Sequence, residues 1–162
     1  MKKILILILS IFLLVSLCAC NKQQTSFVTP VQFYYRNATV SYNSESAVIC
    51  GETREGNGYE LIDLIDQYLQ GPVSDEFLSP FPAGITVLSL ETAEGKASVS
   101  LSEPFTELNG IELTLACACL TKTVMELTGT TAVEISVPNV SLNGSTSITM
   151  DAQSILLLDS NF

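Results

Sequence analysis

The sequence contains no histidine and no tryptophan. The absence of histidine excludes Ser-His-Asp and Cys-His nucleophilic systems and removes the commonest transition-metal ligand. The absence of tryptophan disfavours a cleft that stacks against sugar rings. Carboxylates, hydroxyls and thiols are the chemical groups that remain. We therefore expect neither a cofactor nor a metal site.

Basic residues are also scarce. The chain has seven Lys and Arg residues against seventeen Asp and Glu residues. Lys2 and Lys3 lie at the extreme N-terminus, so the remainder has five basic residues and a net charge of −12. Such a surface repels phosphate backbones and anionic lipid headgroups, which predicts no nucleic-acid partner. Membrane attachment would have to come from a lipid, because no basic amphipathic stretch is present.

The first twenty residues, MKKILILILSIFLLVSLCAC, have the pattern of an export signal. Two lysines precede an apolar run of about 14 residues, whereas a membrane-spanning helix needs roughly 17 to 25. The end of the run, LCAC at residues 17–20, resembles the lipobox of bacterial lipoproteins, in which the final cysteine is lipidated and becomes the new N-terminus. We predict a signal peptide at residues 1–19 and lipidation of Cys20. An ordinary signal peptide cleaved nearby is the alternative.

The exported part is predicted to be a tether at residues 20–30 followed by one domain at residues 31–162. VQFYYRNATV at residues 31–40 and SAVICGE at residues 46–52 are predicted strands. Two segments that begin Asn-Gly-x-Glu-Leu, at residues 57–72 and 109–129, are predicted helices with capping boxes and glycine stops.

Between the helices, residues 84–102 predict a hairpin that turns at Glu94 and Gly95, with alternating Ala97, Val99 and Leu101 on one face. AVEISVP at residues 132–138 predicts a further strand, and SILLLD at residues 154–159 predicts a C-terminal edge strand. The order β-α-β-β-α-β predicts an α+β fold in which two helices cover one face of a small mixed sheet.

Five cysteines occur, and Cys-Ala-Cys appears twice, at residues 18–20 and 117–119. The second copy lies on a predicted helix, where residues i and i+2 are about 200° apart and cannot jointly ligate a metal. Cys117 is predicted to be buried, and Cys119 to project near Leu115, Lys122 and Glu126. The alternative to simple packing is a disulfide between Cys50 and either Cys117 or Cys119, which an oxidising compartment would permit.

The chain resembles the GerMN domain family of sporulation and spore germination proteins from about Gln32 to Leu158. The resemblance lies in LIDLIDQYLQGP (61–72), LSPFPAGITVLSL (78–90), residues 99–136 and SLNGSTSITM (141–150). It implies a non-enzymatic domain similar to ring-building folds, typically carried by exported lipoproteins or membrane-tethered proteins of endospore-forming and related Gram-positive bacteria. Some members carry two such domains, whereas this chain has room for one.

The favoured functional hypothesis is a non-catalytic interaction or assembly module. It would be held on the outer face of the cytoplasmic membrane by lipid, such as palmitate, on Cys20, and would bind another envelope protein or assemble with itself. The loop at residues 71–84 is the candidate contact surface, through Pro72, Phe77, Pro80, Phe81 and Pro82. The alternative is that these phenylalanines close the core beneath the loop.

Two other functions compete with this hypothesis. Asp63 and Asp66, with Asp75 and Glu76 nearby, could serve an envelope glycan hydrolase through paired carboxylates. The segment from Glu52 to Glu76 has seven acidic residues and one basic residue, and its excess of carboxylates could bind calcium weakly. No EF-hand ladder of ligands is present.

Overall fold

Two small β-sheets enclose one long helix. A computed structural model describes residues 30–39 and 47–159, with only the backbone of residues 156–159. The first sheet has the antiparallel order β2-β1-β3, and its strands are β1 (Val31–Asn37), β2 (Ile49–Arg54) and β3 (Phe77–Leu78). The second sheet has the order β4-β5-β6-β7, and its strands are β4 (Val87–Ala93), β5 (Lys96–Leu101), β6 (Ala132–Ser136) and β7 (Ser147–Asp151). The helices are α1 (Leu61–Leu69), α2 (Gly110–Thr128) and α3 (Ala152–Asp159), with a 3-10 helix at Glu103–Glu107. The single sheet expected from the sequence is therefore two sheets.

The strands form where hydrophobic residues alternate. In β1, Val31, Phe33 and Tyr35 are buried, and in β5 the predicted residues Ala97, Val99 and Leu101 are buried. The predicted hairpin joins β4 to β5, and both turn residues have positive φ, 51° at Glu94 and 77° at Gly95. Glycine adopts this conformation without strain, which explains its place in the turn.

Helix α2 lies between the sheets, in contact with β1 on one side and with β5, β6 and β7 on the other. It begins after Asn109 and ends at Gly129, as predicted, and Gly129 adopts the left-handed conformation with φ 69°. Asn109 makes no side-chain capping bond, so the predicted capping box is absent here. Because both sides of α2 face a sheet, its buried surface extends around the helix instead of forming one stripe.

Helix α1 is shorter than predicted. It begins at Leu61, and Glu60, not Asn57, occupies the N-cap position. It buries Leu64, Ile65, Tyr68 and Leu69, whereas Ile62 is exposed.

The C-terminal segment differs from the prediction. Residues 154–159 lie in α3, and the C-terminal edge strand is β7, five residues long, beside β6. The helix is favoured because the Asp151 carboxylate accepts hydrogen bonds from the Ser154 amide and hydroxyl, both at 2.8 Å. A carboxylate in this position caps the first turn of a helix and stops the strand. The same bonds lower the pKa of Asp151.

A threonine of α2 completes the hydrogen bonding of β1. Strand β3 pairs with β1 only at Arg36 and Asn37. At Tyr34, the backbone N–H instead donates to Thr123 Oγ1 at 2.9 Å. Thr121, two residues earlier and equally buried, has a hydroxyl without a hydrogen-bond partner. The two threonines therefore have the same burial and opposite hydrogen-bonding states.

Substituting these threonines with valine, which has nearly the same shape, should have opposite effects on stability. Thr123→Val leaves the Tyr34 N–H unpaired and should lower the free energy of unfolding by about 1 to 3 kcal/mol. Thr121→Val removes a hydroxyl that is desolvated on folding and gains no hydrogen bond in the folded state. This substitution should raise the free energy of unfolding by about 1 kcal/mol. Urea denaturation of the two variants measures both changes. A shift of the same sign in both would contradict this account of the α2–β1 contact.

Candidate functional site

A buried ion pair fixes the start of the loop at residues 71–84. Glu52 of β2 is 8% exposed, and its Oε2 accepts a hydrogen bond from Arg54 Nε at 2.6 Å. Its Oε1 accepts bonds from the backbone N–H groups of Val73 at 2.9 Å and Ser74 at 2.8 Å. Each carboxylate oxygen therefore has a donor, which offsets the cost of burying the charge.

Arg54 connects the same loop to the core. Its Nη2 donates to the Gly71 carbonyl at 2.7 Å and to Tyr35 Oη at 3.2 Å. Its guanidinium also lies over the Phe33 ring, 5.1 Å from the centroid. Gly71 has φ 104°, a backbone conformation that residues other than glycine rarely adopt. The glycine therefore allows the chain to turn sharply toward Arg54. Glu52 and Arg54 together hold residues 71–74 on β2.

The phenylalanine of the loop centre belongs to the core. Phe81 is buried and meets the Tyr68 ring edge to face at 5.1 Å. Phe77 is half-buried and packs against the same core from β3. Pro72, Pro80 and Pro82 are half-buried. Phe81 therefore closes the core beneath the loop, which was the alternative interpretation of the sequence. The prediction that Phe81 makes an outward contact is wrong.

The apolar side chains that are exposed in this region are not the ones that the sequence predicted as contact residues. Val73 is 81% exposed and Tyr59 is 42% exposed, and both line a depression of about 560 Å³. Leu78, at 44% exposed, lies in the edge strand β3. Nothing local marks Val73 as exposed, because its position depends on the distant Glu52.

Two buried tyrosines act as hydrogen-bond donors beneath the loop. Tyr35 Oη donates to the Tyr68 carbonyl at 2.8 Å, and Tyr68 Oη donates to the Tyr34 carbonyl at 2.7 Å. Burial raises the pKa of both phenols, and for Tyr35 the nearby Arg54 offsets part of that rise. Both stay protonated at neutral pH and join α1 to β1.

The cysteines of the described domain are free thiols. Cys117 is buried, as predicted, and burial raises its pKa to about 12. Cys119 was predicted to project near Leu115, Lys122 and Glu126, away from the buried side of the helix. It is instead fully buried, because α2 contacts both β1 and the sheet β4-β5-β6-β7. The Cys50–Cys117 disulfide is not formed. Cys50 lies near Asn37 Nδ2 at 3.6 Å, whereas Cys117 faces a cavity lined by Leu142 and Met150.

The carboxylates proposed for hydrolysis or calcium binding differ in their surroundings. Asp63 is exposed, while Asp66 is half-buried and its Oδ1 accepts a hydrogen bond from the Val87 N–H at 3.1 Å, which joins α1 to β4. Asp75 and Glu76 are exposed in the loop. Among residues 30–39 and 47–159, no three His, Cys, Asp or Glu side chains form a metal-binding group.

A second ion pair lies on the open face of the larger sheet. Lys96 Nζ of β5 contacts Glu134 Oε2 of β6 at 2.6 Å, and Ser147 Oγ of β7 donates to Glu134 Oε1 at 2.8 Å. The hydrogen bond from Lys96, followed by that from Ser147, lowers the pKa of Glu134. Both side chains are partly exposed, at 47% and 30%, so this pair resembles surface ion pairs of small energetic value.

Cys20, the predicted lipidation site, lies outside the described residues. Within the part of the chain that the structure does describe, no helix has the length and apolar character needed to cross a membrane.

Similar proteins were found among solved structures and family models. The chain is similar to the tandem GerMN domains of the sporulation protein GerM from Bacillus subtilis, with 19% identity and a TM-score of 0.56, over 76% of this chain and 45% of that one. It therefore spans less than half of that tandem structure. It is also similar to the first GerMN domain of GerM alone, with 19% identity and a TM-score of 0.54, over 76% of this chain and 96% of that domain. These likenesses confirm the α+β fold class.

A search among curated proteins finds no match. The family model Germane, described as sporulation and spore germination, matches residues 32–143, which is more than half of the chain. That family is a sporulation and germination domain, as the sequence resemblance predicted, and it is not a known enzyme class. The chain therefore belongs to the Germane family.

Proposed function

We propose that this protein is a lipid-anchored, non-catalytic module of the cell envelope that binds another envelope protein during sporulation or spore germination. The observation that carries the proposal is the rim of the depression, where Val73 is 81% exposed while its N–H is bonded to a buried carboxylate. Tyr59, 42% exposed, lines the same depression as Val73, and neighbouring exposed apolar side chains, unlike single ones, mark surfaces that a partner covers.

Family membership supports the biological process, and the lipobox at residues 17–20 supports the location. Lipid on Cys20 would place the domain on the outer face of the cytoplasmic membrane, with residues 21–30 as the tether. Two or more acyl chains hold a protein stably on a bilayer, whereas one gives only marginal binding.

The non-catalytic part of the proposal is tested by complementation. In a spore-forming bacterium that encodes this chain, deletion should reduce sporulation or germination. The Asp63→Asn, Asp66→Asn double variant should restore it fully, since an asparagine at 66 still offers an oxygen to the Val87 N–H. A folded double variant that fails to restore the process would favour the hydrolase alternative.

The anchor is tested by Cys20→Ala, with Cys18→Ala as the matched control in the same tripeptide. The wild-type chain and Cys18→Ala should incorporate labelled palmitate and sediment with membranes. Cys20→Ala should incorporate none and either remain as precursor or appear in the medium. A Cys20→Ala chain that is still acylated and membrane-bound at the processed size would refute the proposed anchor.

A further inference from the structure

The depression beside the Glu52–Arg54 pair is open to solvent and is lined by both apolar and polar side chains. Its volume of about 560 Å³ lies within the range of about 300 to 1,000 Å³ common for ligand pockets. Tyr59 and Val73 supply apolar surface, while Thr53, Gln67 and Ser74 supply polar groups. The space can hold one or two side chains of a partner.

The walls of the depression are held in place before any partner arrives. Glu52 binds the N–H groups of Val73 and Ser74, and Arg54 binds the Gly71 carbonyl. A preorganised rim reduces the entropy lost on binding. Tyr59 adds a large side chain that loses little conformational freedom when it is covered, and such residues are frequent at binding hot spots.

The charge around the depression favours one kind of occupant. From Glu52 to Glu76 there are seven acids and one base, and that base, Arg54, is paired with Glu52. Glu55 lines the depression, and Glu60 and Asp75 flank Tyr59 and Ser74 in sequence, all exposed. This potential attracts cations, and it repels anionic ligands and a second copy of the same acidic surface.

We infer that the depression binds a partner segment in which lysine or arginine residues flank one bulky apolar side chain. The apolar side chain enters between Tyr59 and Val73, and the basic residues lie over Glu55 and Asp75. This inference rests on the proposed function and identifies its contact surface.

The test uses the full lipidated chain in dodecyl maltoside and a labelled ten-residue peptide that carries four lysines around one phenylalanine. Fluorescence anisotropy should show binding that weakens at least fivefold between 50 and 300 mM NaCl. The Tyr59→Ser, Val73→Ser double variant should bind at least tenfold more weakly. Ile111→Ser, which removes an exposed apolar side chain outside the depression, should change the affinity less than twofold.

Two control peptides separate docking from general attraction to an acidic surface. Replacing the phenylalanine with serine should weaken binding at least tenfold, and replacing the lysines with glutamate should abolish it. Equal binding of the serine peptide, equal binding by the double variant or no binding at 1 mM peptide would each overturn the inference. Circular dichroism confirms that each variant is folded. The complementation experiment is independent of this peptide, so failure here with successful complementation rejects the docking site alone.

Discussion

Replacing Glu52 with glutamine should lower the free energy of unfolding by about 3 to 5 kcal/mol, which is the usual effect of removing one partner of a buried ion pair. Both carboxylate oxygens of Glu52 face donors, Arg54 on one side and the N–H groups of Val73 and Ser74 on the other. Glutamine offers one acceptor and one NH₂ group, so it must direct a donor at a donor. The arginine or the loop amides then lose their partner in a buried site.

Glu134→Gln is the matched control, because Glu134 also binds a basic residue and a second donor but is 30% exposed. Its effect on the free energy of unfolding should stay below about 1 kcal/mol. Urea denaturation at pH 7 compares the two variants. If Glu52→Gln were as mild as Glu134→Gln, the ion pair would not be what holds the loop.

Removing both partners separates two contributions to the free energy of unfolding: the stabilisation by the ion pair and the destabilisation by one charge left without its partner. An apolar Glu52→Leu, Arg54→Met variant leaves no unpaired side-chain charge, and methionine can still cover the Phe33 ring. We expect it to be less destabilised than Glu52→Leu alone. The Val73 and Ser74 amides would still lack their acceptor, so full recovery is not expected.

Local pattern was enough to predict most elements of the fold. The alternation of Ala97, Val99 and Leu101 identified β5, and Gly129 marked the end of α2. These signals operate over a few residues, because strand period and helix stops depend on neighbouring positions. Asp151 was an available local signal that was missed, since an N-cap followed by Ser154 predicts a helix where hydrophobicity alone indicated a strand.

The candidate site could not be predicted in the same way, because its parts meet through tertiary structure. Glu52 and Val73 are far apart in the chain, and nothing in either neighbourhood indicates that they bond. Cys119 was misplaced for a related reason. Its helix was assumed to bury one face, whereas a second sheet covers the other side. In both cases the missing information was the position of a distant element.

The rigidity of the rim and the stability of the core have a common origin in β1 and β2. Arg54 reaches from β2 to the loop and also bonds Tyr35 of β1, and Tyr35 in turn bonds the Tyr68 carbonyl of α1. A change at any of these positions should affect both the loop and the core. Variants intended to probe binding are therefore better placed at Tyr59 and Val73, whose side chains are exposed.

Tyr68→Ala should be the other severely destabilising change, with a loss of about 3 to 5 kcal/mol in the free energy of unfolding. The Tyr68 ring is fully buried and contacts Phe33 at 5.4 Å, Tyr35 at 4.9 Å and Phe81 at 5.1 Å between centroids. It is the centre of the aromatic cluster that joins α1 and the loop to β1. Alanine would leave a cavity bordered by these three rings.

Tyr68→Phe isolates the hydroxyl, because it keeps the ring and removes only the hydrogen bonds of that group, to the Tyr34 carbonyl and with the Thr123 side chain. Its cost near neutral pH should be about 1 to 2 kcal/mol. Burial raises the pKa of Tyr68, while an unfolded tyrosine titrates near its ordinary value of about 10. The folded state thus stays protonated where the unfolded state ionises, so the contribution of Tyr68 is complete below pH 10 and decreases as the pH rises above it. Denaturation of the wild type and Tyr68→Phe from pH 8 to pH 11 should show the difference between them shrinking above pH 10. A difference that stays constant over that range would show that the phenol is not held in its buried, protonated state.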